Sequence, residues 1–374
     1  MALITYLSSI EFGAGSIATL PKAISDLGIK RPALISDGGL AATGLVNRIQ
    51  ALVPGIVFTF LDVPTNPTET AVLDAMHKYR ASGADGLVAL GGGSPIDLAK
   101  GVALLASHPL PLSQYAVIEG GLERITAAVV PVIAVPTTAG TGAEVGRASL
   151  ITLSDGRKLG FISPHLIPKK VICDPELLLG LPPKLTAATG MDALAHCIET
   201  YCSPRYNPPA DAIALDGFAR IWSSLERSVA DGQNVTLRSE MMMGALQGGL
   251  AFQKGLGAVH SLSHALGALH ELHLHHGTLN AILMPHVVRV NAEASNDKIR
   301  RMGHAAGIPT GTSLADALSD LTVRLGLPTT LSELEVTDAM FEGVVVRALA
   351  DHSHATNPKL LTAQEYHGLL RAAL

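Results

Sequence analysis

The chain has 374 residues, which at about 100–200 residues per domain points to two domains. Hydrophobic residues make up 48% and charged residues 16%, too apolar for a disordered chain and ample for a large core. A net charge of −5 and an aromatic content of 4% argue against a basic nucleic-acid face and against a stacking platform for bases.

The start, MALITYLSSIEF, has no basic leader and carries Glu11, so a signal peptide is not expected. ALITYLS (2–8) is read as an edge strand able to pair a second copy, a homodimer being the default for an enzyme of this size. Short apolar runs at 33–37, 56–63, 86–93 and 130–138 read as strands, each bounded by Gly, Pro or Asp. Between them, 16–28, 44–53, 68–83 and 94–106 carry helical patterns. This alternation predicts a parallel sheet covered on both faces. After 179–185 strand signals nearly vanish, and 184–202, 210–229, 238–255, 277–291 and 338–351 read as helices. The expected plan is an α/β domain over 1–181 followed by an all-α domain over 182–374. No run reaches about 18 uninterrupted apolar residues, so no membrane span is expected. Cys173, Cys197 and Cys202 form no CxxC pair, which fits a reducing, cytoplasmic setting.

Three glycine-rich turns could meet a nucleotide. In GLVALGGGSPIDLAK (86–100) a strand runs into Gly91-Gly92-Gly93-Ser94, and a helix starts beside Pro95. Glycines allow close backbone approach, and a helix N-terminus offers free N–H groups to a phosphate. The plainer reading is a tight strand-to-helix turn. AVPTTAGTGAEVG (134–146) places Thr137, Thr138 and Thr141 at another strand end, where hydroxyls could reach phosphate or ribose. FGAGSIATL (12–20) matches GxGxxA formally, a pattern that also arises by chance. Asp37 ends the following strand, where a carboxylate would accept ribose hydroxyls and repel a 2′-phosphate, favouring NAD over NADP. A simple turn Asp is the competing reading, and Asn66 is a similar case.

Six of the 15 histidines fall between His260 and His276. Asp192 and His196 are one helical turn apart on one face, and His260 and His264 repeat that spacing. His276 precedes Gly277 near the start of another apolar helix. A lone Asp/His pair of this kind is usually a surface hydrogen bond. Two such pairs on apolar helices with a nearby His-Gly instead suit a borderline divalent metal. His270, His273 and His275 sit in a polar loop and are expected to face solvent.

Taken in order, FGAG, NPT, GGGSPIDLAK, PTTAGTGAEV, DPEL, LPPKLTAATGMDALAHCIETY, GLGAVHSLSHALG and HHGTLNAILMPHVVRVN resemble the iron-containing (group III) alcohol dehydrogenase family along the whole chain. The resemblance implies a dehydroquinate synthase-like α/β domain followed by helices. It implies reversible hydride transfer between a small primary alcohol and NAD, dependent on a divalent metal, Fe(II) or alternatively Zn(II). The implied metal ligands are Asp192, His196, His260 and His276, with His275 competing for the last place. The pyrophosphate would lie against Gly92, Gly93 and Ser94. Asp37 would take the adenosine ribose, with Asn66 nearby. Thr137, Thr138, Thr141, Lys158, Leu177 and Gly180 would line the remaining dinucleotide site. His264 would pass the alcohol proton toward solvent. Ala143, Gly146 and Ala148 depart from the family pattern.

Within the family, YNPPADAIALDG, AFQKGLGAVHSLSHALG, LHHGTLNA, TVRLGLPT and DHSHATNPK resemble members acting on 4-hydroxybutyrate, and this likeness implies its oxidation to succinate semialdehyde. Maleylacetate reductases and general alcohol dehydrogenases share much of this framework. A dehydroquinate synthase-like lyase would need a Lys/Arg phosphate cluster beside the metal, which the histidine-rich segment lacks. A carboxylated substrate needs a cationic or donor group, for which Arg147, Lys254, His352, His354 and Asn357 are candidates by type.

Overall fold

The computed structural model describes Ile4, Tyr6 and residues 8–374. The N-terminal pairing strand expected at 2–8 lies largely outside these. Packing divides the chain into two units, Tyr6–Thr138 with Gly142–Gly180, and Ala139–Thr141 with Leu181–Leu374. The tripeptide Ala139–Thr141 thus belongs with the helices, although its neighbours on both sides belong with the sheet.

In the first unit the strands are β1 (Ile10–Phe12), β2 (Pro32–Ile35), β3 (Phe58–Phe60), β4 (Gly86–Gly91), β5 (Val132–Pro136), β6 (Ala148–Thr152), β7 (Lys158–Ile162) and β8 (Lys170–Cys173). The helices are α1 (Leu20–Asp26), α2 (Gly38–Ala42), α3 (Leu45–Leu52), α4 (Glu69–Ser82) and α5 (Gly93–Ser107). Six strands form a parallel sheet ordered β1-β8-β5-β4-β2-β3, while β6 and β7 make an antiparallel hairpin. β2, β4 and β5 are buried throughout, which is why they read as unbroken apolar runs. The run at 56–63 yields only three strand residues, and the helical pattern from Ser16 opens with a 3-10 turn before α1.

From β2 the chain steps outward to β3, then crosses to the other side of β2 to form β4. The carboxyl ends of β2 and β4 therefore flank a topological switch point, where open α/β sheets bind ligands. Asp37 follows β2 and the triple glycine follows β4. Gly91 has φ of 149°, and a Cβ there would meet Pro95 Cγ at 2.5 Å, so the turn requires glycine. Beneath it, the wholly buried Lys100 donates to the carbonyls of Ala143, Gly146 and Ala148 at 2.7, 2.9 and 2.7 Å. Those bonds tie the segment before β6 to α5.

The second unit contains α6 (Pro183–Cys202), α7 (Pro208–Ala230), α8 (Val235–Ala251), α9 (Ala258–Gly267), α10 (His276–Ala305), α11 (Leu314–Arg324), α12 (Phe341–Ala350) and α13 (Ala363–Ala372). α6 starts with Pro183, where a missing N–H costs little. It is buried from Thr186 to Cys202 and packs against α7, α8 and α10. Its apolar character all round is that of a central helix. α10 contains Pro285 and breaks helical geometry at Ser295. Among the described residues no helix is long and apolar enough to cross a membrane.

Candidate functional site

Three helices of the second unit converge on one carboxylate. Asp192 and His196 come from α6, His260 from α9, and His276 from the first position of α10. Asp192 Oδ1 stands 3.8 Å from His196 Nε2, 3.6 Å from His260 Nε2 and 3.5 Å from His276 Nε2. These separations are too long for good hydrogen bonds. Donors bonded to a divalent ion at about 2.1 Å stand about 3.4 Å apart in a tetrahedral arrangement. Asp192, His196 and His260 are all buried, and their donor atoms lie within 4.8 Å of one another. His260 Nε2 is buried without a hydrogen-bond partner, a cost that a bound cation would remove. Both the donor chemistry and the spacing fit a borderline divalent metal. His276, not His275, makes the approach to Asp192. His275 caps α10 and is half-buried, so the expectation of a solvent-facing loop holds for His273 but not for it. The side chain of His270 lies outside the described residues.

The electrostatics suit cation binding. Burial opposes charge on Asp192, but His196, His276 and His260 hold its carboxyl far below the usual range. Burial pushes His196 down to about 4, only partly offset by Asp192, so its ring is neutral near pH 7. For His260 burial is outweighed by Asp192 and Glu199, which raise it to about 9. One imidazole is thus ready to coordinate, and the other sits between two carboxylates that favour a positive centre.

A second tier of contacts orients the rings. Glu199 Oε2 accepts His260 Nδ1–H at 2.7 Å and the Gly257 and His260 N–H groups at 3.0 and 3.3 Å. Its Oε1 accepts Val259 N–H at 2.6 Å. One carboxylate therefore fixes the ring of His260 and satisfies the N-terminus of α9. His196 Nδ1 lies 3.2 Å from the carbonyl of Gly140, which assigns the proton to Nδ1 and leaves Nε2 to face Asp192. Asn280 donates to Asp192 Oδ1 at 2.8 Å. Gly277 allows α10 to approach α6, since a Cβ there would lie 2.1 Å from the Ala188 carbonyl. His264 Nδ1 pairs with Asp351 Oδ2 at 2.9 Å. Burial opposes charge on Asp351, but His264 and then His352 hold its carboxyl far below the usual range.

Sequence reasoning passed over Glu199 and Asp351. Glu199 carried a signal: it falls three residues after His196, on the face already occupied by Asp192, in an otherwise apolar helix. Two carboxylate-binding candidates are corrected. Lys254 is buried against Asp211 and the Tyr201 carbonyl, so its ammonium is spent internally. Asn357 is buried and saturated by Ala258 N–H, Asn291 and the Lys359 carbonyl. It supports α9 instead. His354 pairs with Tyr366 Oη at 3.0 Å, and Arg147 is exposed in the α/β unit.

In that unit, Gly92 caps α5 without a side-chain bond, and a Cβ on it would lie 3.1 Å from Thr138 Oγ1. Two of the three glycine-rich turns thus meet. Ser94 Oγ donates to the Thr65 carbonyl, and Thr137 N–H donates to Gly91 O at 3.0 Å. Lys158 Nζ donates to Asn66 Oδ1 at 3.0 Å, joining two residues expected at the nucleotide. Asp37 Oδ1 accepts Leu40 N–H at 2.9 Å and caps α2. Leu177 is buried and Gly180 exposed after β8, while Thr141 groups with the helical unit. The third turn, FGAG, does bind a carboxylate, but the protein's own. Asp174 accepts Gly15 and Ile17 N–H at 3.1 and 3.0 Å, so this turn is structural.

The family model described as iron-containing alcohol dehydrogenase matches residues 8–175, and its Fe-containing C-terminal counterpart matches 186–374. The chain is 52% identical to 4-hydroxybutyrate dehydrogenase of Cupriavidus necator, covering 100% of both chains. It is 36% identical to 1,3-propanediol dehydrogenase of Klebsiella pneumoniae over 97% of this chain and 96% of that one. Among solved structures, a 1,3-propanediol oxidoreductase aligns with a TM-score of 0.94 at 35% identity, covering 100% of both chains. Sulfoacetaldehyde reductase from Bifidobacterium kashiwanohense, in complex with NAD+, gives 0.91 at 27% identity over 100% of this chain and 99% of that one.

Proposed function

The chain belongs to the iron-containing alcohol dehydrogenase family and is an oxidoreductase acting on alcohols; from that premise we propose that it interconverts 4-hydroxybutyrate and succinate semialdehyde with NAD. The observation that carries the chemistry is the buried cluster of Asp192, His196 and His260, which His276 approaches from α10. The identity of 52% to a 4-hydroxybutyrate dehydrogenase supports the substrate.

Asp192, His196, His260 and His276 would hold a divalent cation, Fe(II) by the family's description. That ion supplies Lewis acidity toward an alcohol or carbonyl oxygen. The protein's own residues do the rest. Glu199 and the Gly140 carbonyl hold two rings with Nε2 toward Asp192. With Nδ1–H of His264 bonded to Asp351, its Nε2 is the acceptor for the proton an alcohol loses on oxidation. In the α/β unit, the α5 N-terminus has no side-chain cap and offers N–H groups to a pyrophosphate. Asp37 would take the adenosine ribose.

NADH formation from 4-hydroxybutyrate, 1,3-propanediol and ethanol tests the reading, with maleylacetate reduction as the reverse-direction rival. The acid should give the highest kcat/KM. Faster reduction of maleylacetate than of succinate semialdehyde would reject it. Coenzyme choice is tested by Asp37→Ser, which keeps an N-cap for α2. Removing the carboxylate should shift the NADP/NAD ratio of kcat/KM toward NADP by at least about tenfold, from relief of like-charge repulsion of order 1–2 kcal/mol. An unchanged ratio would remove Asp37 from the ribose site.

A further inference from the structure

Beyond the proposed ligands, the segment after α12 adds a third imidazole to a stack. The His264 ring lies on that of His276 with centroids 5.3 Å apart and 14° between planes. His352 lies beside the same ring, at 5.9 Å and 25°. Asp351 braces the stack, with Oδ2 bonded to His264 Nδ1 and Oδ1 3.6 Å from His352 Nδ1. Exposure separates the members. The side chains of His264 and Asp351 are 14% and 15% exposed, whereas His352 is 47% exposed. His352 is the rung that a dissolved molecule reaches first.

We propose that His352 binds the carboxylate of the hydroxy-acid substrate and selects the acid over an uncharged alcohol of the same length. The inference rests on the 4-hydroxybutyrate reading above. In the extended acid the hydroxyl oxygen and the carboxylate carbon are about 5 Å apart, given carbon–carbon bonds of about 1.5 Å. A hydrogen bond of about 2.8 Å extends that reach. His264, the acceptor of the hydroxyl proton in that reading, is one centroid step of 5.9 Å from His352, within this reach, whereas His276 is a further 5.3 Å step away. Three further donors of this unit are committed elsewhere: Lys254 to Asp211 and the Tyr201 carbonyl, Lys298 to the Tyr201 carbonyl, and Asn357 to Asn291 and α9. The oxygens of Asp351 are themselves engaged by His264 and by Ser353 N–H at 2.8 Å. With Nδ1 of His352 turned toward Asp351, the Nε2 edge points away from that carboxylate.

The test compares 4-hydroxybutyrate with 1,4-butanediol, which has the same reacting carbinol and no charge, in the metal-loaded enzyme. In His352→Leu, kcat/KM for the acid should fall about 10–100-fold, mainly through KM, as expected for a lost hydrogen bond to a charged group. The diol value should fall less than threefold. His352→Arg should retain the preference for the acid. Butyrate, which carries the carboxylate but no hydroxyl, should inhibit diol oxidation with a Ki that rises in parallel in His352→Leu. Equal losses on acid and diol, or an unchanged butyrate Ki, would overturn the assignment. A wild-type enzyme without preference for the acid would sink the substrate reading itself, and this inference with it.

Discussion

His260→Ala protein is expected to purify without metal and to oxidise alcohol at least about a thousandfold more slowly, the loss of several kcal/mol of Lewis-acid stabilisation. NAD affinity should stay within about threefold, because Asp37, Gly92 and Lys158 belong to the other unit. The reasoning starts from burial. His260 is 1% exposed, and its Nε2 has no hydrogen-bond partner although Asp192 lies 3.6 Å away. Alanine removes one donor from a set that can bind an ion only if several converge. It also leaves Asp192 and Glu199 buried with less positive charge near them, so the metal-free variant should lose about 3–5 kcal/mol of stability. His196→Ala separates the two effects. There a neutral ring is lost, so metal retention should fail with a smaller stability penalty. Metal content by emission spectroscopy, NAD titration and urea unfolding provide the three readouts. Normal metal content in His260→Ala would refute its assignment as a ligand.

What could be read in advance was whatever lies on one element. The helical interval between Asp192 and His196 set both on one face of α6 before any packing was considered. The triple glycine after an apolar run marked the turn between β4 and α5 for a similar local reason. What could not be read depends on partners distant in sequence. Nothing near FGAG reveals that Asp174 fills it, because β1 and β8 become neighbours only when the sheet forms. Lys254 looked like a free cation since a sequence does not show that Asp211, on α7, waits for it. β1 and β8 themselves are three and four residues long and carry Glu11 and Lys170, so neither gave an apolar run. Glu199 was visible as a residue but not as a cap, because the N–H groups it accepts lie about sixty positions further on.

That cap is the basis of the second large effect. Glu199→Gln should weaken metal binding by about 10–100-fold, the usual cost of losing a partner behind a ligating histidine. It should also destabilise the metal-free protein by about 2–3 kcal/mol. Four N–H groups point at this carboxylate, two from the α9 backbone, one from Gly257 just before it and one from His260 Nδ1. A carboxylate accepts at both oxygens, but a glutamine amide presents two hydrogens where one oxygen was. If the amide nitrogen takes the Oε1 place, Val259 N–H loses its acceptor. If it takes the Oε2 place, Gly257, His260 and the ring all lose theirs. The first orientation costs less, so the His260 ring should keep its tautomer but lose the charge that strengthens it as a donor to a cation. The variant should therefore bind metal weakly and regain most of its activity at saturating metal, unlike His260→Ala. Failure to recover at any metal concentration would instead show that Glu199 holds the whole α9 start in place, and that the ring's position depends on the helix more than on this one hydrogen bond.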